Sequence, residues 1–338
     1  MRLRRSVVDG PGIKRIRRGR GFSYEKPDGQ AVTDRKVLQR IDDLVIPPAW
    51  KTVWICPHAS GHIQAVGTDV AGRRQYLYHP QWQQERSEEK FDRVLEMSTG
   101  LHDWRQHVAV DLARRGLRRD RVLALGLRLL DLGYFRAGGE KYAEENNSFG
   151  IATLQCEHVS VGRDGVEFDY PAKSGVRRTL LVEDDDVVRA VRALQRHRKR
   201  GERFLAYQES ADWVEVHADD LNLRFKEMVG EDYTVKDLRT WHGTVLAAEA
   251  FVDADPPVDP KVVKRVESAV MREVSEGLGN TPAVARSAYV DPRVVQAYRN
   301  GITIESAVRR AARTRSADER QSVLDRATAR LIRRMARG

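Results

Sequence analysis

The residues most able to do chemistry are spread along the last two-thirds of the chain. In "LGNTPAVARSAYVDP" a tyrosine, Tyr289, stands nine positions after Asn280. A tyrosine oxygen becomes a useful nucleophile when cationic groups surround it. Candidate cations lie upstream. "YFRAGGEKYAEENNSFGIATL" places Arg136 beside two glycines, which allow close backbone approach, and an arginine offers a planar donor fork to an anion. "DYPAKSGVRR" puts Lys173 at the tip of a hairpin, where it can act as a mobile proton donor. "KDLRTWHGT" sets Lys236, Arg239 and His242 at i, i+3 and i+6, along one helical row.

Each site alone has an ordinary explanation. Arg136 can be a surface arginine after a helix cap, Lys173 a solvated turn residue, the Lys236 row a solvated face and Tyr289 a core aromatic. Together they supply two arginines, a hairpin lysine, an amide and a tyrosine in that order. Those are the groups needed to attack a phosphodiester. The tyrosine attacks phosphorus, cations neutralise the nonbridging oxygens, and a lysine protonates the departing alkoxide. "CPHASGHI" brings Cys56, His58 and His62 close together, but a zinc site takes four ligands and no second cluster supplies the rest, so we assign no metal. No GxxxxGK[ST] loop is present for ATP, and no cofactor is expected.

These residues need elements to hold them. Residues 21–32 read as two short strands around a Pro-Asp-Gly turn. A helix capped by Thr33 or Asp34 follows and is stopped by Pro47-Pro48. "KTVWICP", "GHIQAVGTD" and "GRRQYLYHP" are strand-like. From about residue 83 the periodicity turns helical. It is interrupted by a second sheet at about 154–182, and the final segment, 303–336, reads as one Arg/Ala-rich helix. The expected fold class is α+β, with a small antiparallel β-rich domain followed by a mostly helical domain containing a three-stranded sheet. The expected divisions are a loose basic arm over 1–20, the β-rich domain over 21–85 and the helical domain over 86–338.

The totals agree with a soluble globular chain: 338 residues, 41% hydrophobic and 32% charged. No stretch is apolar enough for a membrane span and no secretory signal is visible, so no membrane partner is expected. Cys56 and Cys156 form no CxxC pair and are read as reduced thiols in the cytoplasm. The net charge of +10 is concentrated at the two ends, residues 1–20 and 301–338, which suits a polyanion partner.

In the order of its segments the chain resembles the type IB DNA topoisomerases of the poxvirus and bacterial kind, from about residue 20 to 300. "GHIQAVGTDVAGRRQYLYHPQW" resembles that family's N-terminal sheet. "FRAGGEKYAEENNSFGIATL", "PAKSG", "KDLRTWHGT" and "LGNTPAVARSAYV" resemble its active-site segments. The resemblance implies that Arg136 and Arg239 bind the phosphate, Lys173 is the general acid for the 5′-oxygen, and Tyr289 takes the 3′-phosphate. Asn280 stands where the family commonly has a histidine that donates to the phosphate. Gly138, Tyr142, Asn146, Lys236 and His242 are expected to touch the DNA backbone or shape the site. The family's fold implies a two-domain clamp on duplex DNA. Its activity is the relaxation of supercoils without metal or ATP, here expected of a monomer associated with the nucleoid. A tyrosine recombinase uses the same chemistry for strand exchange, although its N-terminal domain is usually helical. A non-catalytic DNA-binding protein is the other alternative.

Overall fold

The basic N-terminus is a strand, contrary to the loose arm expected over residues 1–20. In the computed structural model, which describes residues 2–337 and the side chains of all of these except Lys141, Tyr142 and Ser174, Ile13–Arg18 forms β1. It pairs antiparallel with β2 (Gly21–Glu25) on one side and β3 (Lys51–Ile55) on the other. Charge count alone misses this, because one arginine of the stretch is structural. The Arg15 guanidinium donates to the carbonyls of Ile46 (3.2 Å), Pro47 (3.0 Å) and Trp50 (2.7 Å), and lies 4.2 Å over the Phe22 ring. Further upstream, the Arg4 amide donates to Ser60 O at 2.8 Å and the His62 amide donates to Arg4 O at 3.0 Å. His62 itself accepts from the Ser6 amide at 2.9 Å.

The chain divides into two units, Met1–Phe91 and Asp92–Gly338. The first unit is a five-stranded antiparallel sheet in the order β2-β1-β3-β4-β5, completed by β4 (Ile63–Thr68) and β5 (Arg74–Tyr78). One helix, α1 (Arg35–Asp43), begins where Asp34 accepts from the Lys36 amide at 2.8 Å. It packs Ile41 against Ile13, Val32, Val53, Ile55 and Ala65 of a small separate core. Each such valine or isoleucine side chain contributes about 1.5–3 kcal/mol by leaving water. Helix α2 (Pro80–Met97) runs across the division.

The second unit is mostly helical. Helices α3 (Leu101–Ala113), α4 (Arg119–Leu132) and α5 (Glu140–Asn146) precede a three-stranded antiparallel sheet, β6 (Val159–Val161), β7 (Val166–Pro171) and β8 (Arg177–Val182). Then come α6 (Asp185–Gln195) and a short hairpin, β9 (Ala206–Glu209) with β10 (Asp212–Glu215), which the sequence did not announce. Helices α7 (Ala218–Val229), α8 (Val235–Ala250), α9 (Pro260–Leu278), α10 (Pro282–Val284) and α11 (Pro292–Arg299) follow. The C-terminal segment expected as one helix is two, α12 (Glu305–Ala311) and α13 (Ala317–Met335). The break occurs because Ser316 starts a new helix, accepting from the Glu319 amide at 3.4 Å. Helix α8 is the axis of the unit, with Leu238, Arg239, Trp241 and Val245 all buried. No helix among the described residues is long and apolar enough to cross a membrane.

Candidate active site

Arg136 is aimed by an unusual backbone. Helix α4 ends at Gly133, where a side chain would collide with the Phe135 ring at 2.3 Å. Tyr134 then adopts φ +49°, which turns its carbonyl inward. Phe135 is locked against Phe168 (5.0 Å) and Tyr170 (5.8 Å), so Arg136 emerges at a fixed place. Gly138 (φ +90°) lies directly on Gly150. A Cβ on Gly150 would stand 2.5 Å from the Gly138 nitrogen and 2.6 Å from Arg136 O. The two segments are joined there by hydrogen bonds from the Ile151 amide to Arg136 O and from the Ala152 amide to Ala137 O, both 2.8 Å.

Arg239 comes from α8, whose start is fixed by Thr234 and Asp237 holding each other. Arg239 is 4% exposed, and its guanidinium donates to Tyr134 O and to Leu278 O. It lies 5.3 Å from the Tyr289 ring. Burial, and then the charge of Arg136, push its pKa down to about 10, with Tyr289 opposing. Arg239 therefore stays cationic at neutral pH.

Tyr289 is positioned by α8 and by a π-turn. Helix α9 ends in a left-handed Gly279 (φ +59°), and the Asn280 amide folds back to Ser275 O at 2.9 Å. Thr281 and Pro282 start α10, which passes into a π-turn over Ala285–Tyr289, closed by the Val290 amide on Ala285 O at 3.0 Å. Such turns recur at functional sites. The tyrosine backbone rests on Gly243, where a Cβ would approach Tyr289 Cβ and O to 2.9 Å. The Thr244 hydroxyl donates to Tyr289 O at 3.1 Å.

The carboxyl end of α9 is the meeting point. Arg239 reaches Leu278 O, and Arg136 donates to Gly279 O at 2.9 Å. A third arginine, Arg178 on β8, donates to Leu278 O (2.9 Å), Gly277 O (2.8 Å) and Gly133 O (2.9 Å). Sequence reasoning missed Arg178, although its signal was available. Along β8 the odd positions 177, 179 and 181 are exposed and the even positions turn inward, which places Arg178 on the inner row. Among the described residues none of these three guanidiniums has a carboxylate partner. Their donors rest on neutral carbonyls, which are weaker acceptors than an anion. The Asn280 side-chain amide is buried beside them, and among the described residues neither its Nδ2 nor its Oδ1 has a partner.

The structure thus brings Arg136, Arg239, Asn280 and Tyr289 to one place. Lys173 stands exposed between β7 and β8, its ammonium without a partner among the described residues. Gly138 serves the site through backbone packing. Asn146 is exposed at the end of α5, and Lys236 is exposed on α8. The side chain of Tyr142 lies outside the described residues. His242 does not join Lys236 on a basic face. It is 2% exposed, bonded to Asp131 at 2.8 Å and packed on the Tyr134 ring at 4.9 Å. Burial opposes the charge on Asp131, but Arg105 and His242 outweigh it and hold that carboxyl well below its usual range.

The chain matches the family model described as "Eukaryotic DNA topoisomerase I, catalytic core" over residues 79–316. It matches "Bacterial DNA topoisomerase IB, N-terminal domain" over residues 21–69. It is similar to a DNA topoisomerase 1B of Acanthamoeba polyphaga mimivirus, 28% identical over 297 residues that cover 86% of this chain and 88% of the relative. A DNA topoisomerase I of Monkeypox virus is 21% identical over 278 residues, covering 81% and 83%. A DNA topoisomerase 1B of Vaccinia virus (strain Copenhagen) is 20% identical over the same length, with the same coverage.

Proposed function

The chain belongs to the type IB DNA topoisomerases, and we propose that it relaxes supercoils by nicking one strand of duplex DNA through Tyr289 and resealing it. Tyr289 Oη attacks the scissile phosphorus and gives up its proton to solvent. The bond to the 5′-oxygen breaks, and that oxygen leaves with a proton from Lys173 Nζ. The 3′-phosphate remains on the tyrosine, and the reverse reaction reseals the strand. The bond energy is kept in the phosphotyrosine, so no ATP is consumed. Arg136 and Arg239 take the nonbridging oxygens, exchanging neutral carbonyls for a stronger acceptor, and Asn280 donates its free amide. Fixed guanidiniums supply the positive charge that a metal ion would otherwise bring.

One observation carries this reading: a buried arginine 5.3 Å from the Tyr289 ring, with a second arginine and an unpaired amide around the same helix end. On this reading the protein acts as a monomer on the nucleoid, with both units engaging the duplex and the exposed Lys236 and Asn146 available to the backbone. The test is relaxation of a negatively supercoiled plasmid in EDTA without ATP. The natural protein relaxes it, and Tyr289→Phe binds without relaxing. Full relaxation by the phenylalanine variant would remove Tyr289 as the nucleophile. Holliday junctions formed from two sites would point to a recombinase.

A further inference from the structure

We propose that Arg178 is a positioning residue that holds the Lys173 hairpin against the carboxyl end of α9 and so sets the geometry of proton donation. The inference rests on the reading of Lys173 as the general acid.

The geometry is specific. Arg178 lies five residues after Lys173 and sits in register with Tyr170 across the β7–β8 ladder, so its strand is the outgoing limb of the Lys173 loop. Its single guanidinium joins three carbonyls from two other segments. Gly133 O ends α4, three residues before Arg136. Gly277 O and Leu278 O end α9, just before Asn280. The Lys173 hairpin is therefore fastened through one side chain to the ends of α4 and α9, while Arg136 has its own bond to Gly279 O. Gly279 is shaped to admit it, because a Cβ there would stand 2.7 Å from Arg178 Nη1.

The incoming limb has its own anchor. The Phe149 amide donates to Pro171 O at 2.9 Å, and the Ser148 hydroxyl to Ala172 O at 3.2 Å. At the tip the Ala172 amide donates to Val176 O at 2.8 Å and the Gly175 amide to Ala172 O at 3.0 Å, and Lys173, Gly175 and Val176 are exposed. Loss of Arg178 removes the outgoing limb's bonds to the ends of α4 and α9 and leaves it held by its ladder to β7 and by Arg177 on Asp169. Lysine cannot replace Arg178, since an ammonium has no planar fork to span three carbonyls.

The experiment follows single-turnover formation of the covalent adduct on a short duplex with two scissile linkages. One is the natural phosphodiester. The other carries sulfur at the 5′-bridging position, and the thiolate leaves without needing a proton. We expect Arg178→Ala to slow cleavage of the natural linkage about 100-fold and of the sulfur linkage no more than about threefold, because only the first needs the general acid. Lys173→Ala shows the same pattern, Arg178→Lys falls between, and circular dichroism checks that each variant is folded. If Arg178→Ala fails to fold, Arg178→Lys carries the same comparison. An equal deficit on both linkages, or cleavage at the natural rate, overturns the proposal. Adduct formation by the natural protein reports separately on Tyr289; its absence on both linkages would remove the site reading and the Arg178 role with it.

Discussion

Asn280 carries an unusual cost. Its amide nitrogen and oxygen are both buried without partners, and an unsatisfied buried polar group costs roughly 1–3 kcal/mol. A fold tolerates that where the group is reserved for something else, and on the proposed function that something is the scissile phosphate. Asn280→Ala should therefore slow cleavage roughly tenfold while leaving thermal stability undiminished, because the resting protein does not make the interaction that the substitution removes. A drop in melting temperature together with unchanged cleavage would show the amide to be structural. Asn280→His adds a donor that is charged below its ordinary pKa of about 6.5, so its cleavage should exceed that of the natural protein on the acid side and lose the advantage as the pH rises. Arg239 is a different case, because it is buried, charged and already aimed. Arg239→Ala should lower the cleavage rate constant by about 10²–10³ with DNA binding largely retained, measured by adduct formation against filter binding.

At the scale of elements, the site depends on surfaces that fit backbone to backbone. Gly243 on α8 is the clearest case, since the atoms a methyl would meet are Tyr289 Cβ and O, neither of which can rotate away. Gly243→Ala should displace Tyr289 by a few tenths of an ångström or more and, on the proposed function, slow cleavage by up to about 100-fold with substrate affinity nearly unchanged. An unaffected rate would mean that the π-turn shifts freely. Helix α5, which follows the Arg136 loop, is held at its first residue by Glu140. Arg203 grips both carboxylate oxygens (2.6 and 2.7 Å) and His217 lies at 2.9 Å. The Arg203 bonds lead in pulling its pKa from 4.5 to about 2. The folded value is the lower one, so this contribution is complete above pH 4.5 and fades as pH falls towards 2. Glu140→Gln should flatten the stability profile across that window, read from denaturant midpoints at several pH values. The three-stranded sheet was legible because its strands carry a local pattern of alternation set off by glycine turns. The alternation along β8 puts Arg178 on the inner row, but its three carbonyl partners lie about 45 to 100 residues away in sequence, which no local pattern encodes. His242 was misplaced on a basic face because the i, i+3, i+6 spacing gives a row but not the side of the helix that faces the core; its partner Asp131 lies on another helix.

For the molecule as a whole, the two units keep separate cores, one built around Ile13, Ile41 and Ile55, the other around α8. The status of the first twenty residues was not legible in the sequence, since arginines on a strand and arginines on a loose tail give the same charge. The difference is testable. Deleting residues 1–20 removes the strand between β2 and β3, the buried Ile13, and the Arg15 guanidinium that closes three carbonyls. A sheet losing an inner strand leaves unpaired edges and an opened core, so the deletion should abolish amide-exchange protection over residues 51–78 while α8 and α9 keep theirs. Neutralising the exposed Arg17, Arg18 and Arg20 to glutamine should do the opposite. The sheet stays protected, and if those side chains meet phosphates the dependence of log K on log salt becomes shallower by about one unit for each phosphate no longer neutralised. Full protection of residues 51–78 in the deletion would restore the picture of a loose arm. Loss of protection in the glutamine variant would mean that the charges themselves, rather than Ile13 and Arg15, hold β1 in place.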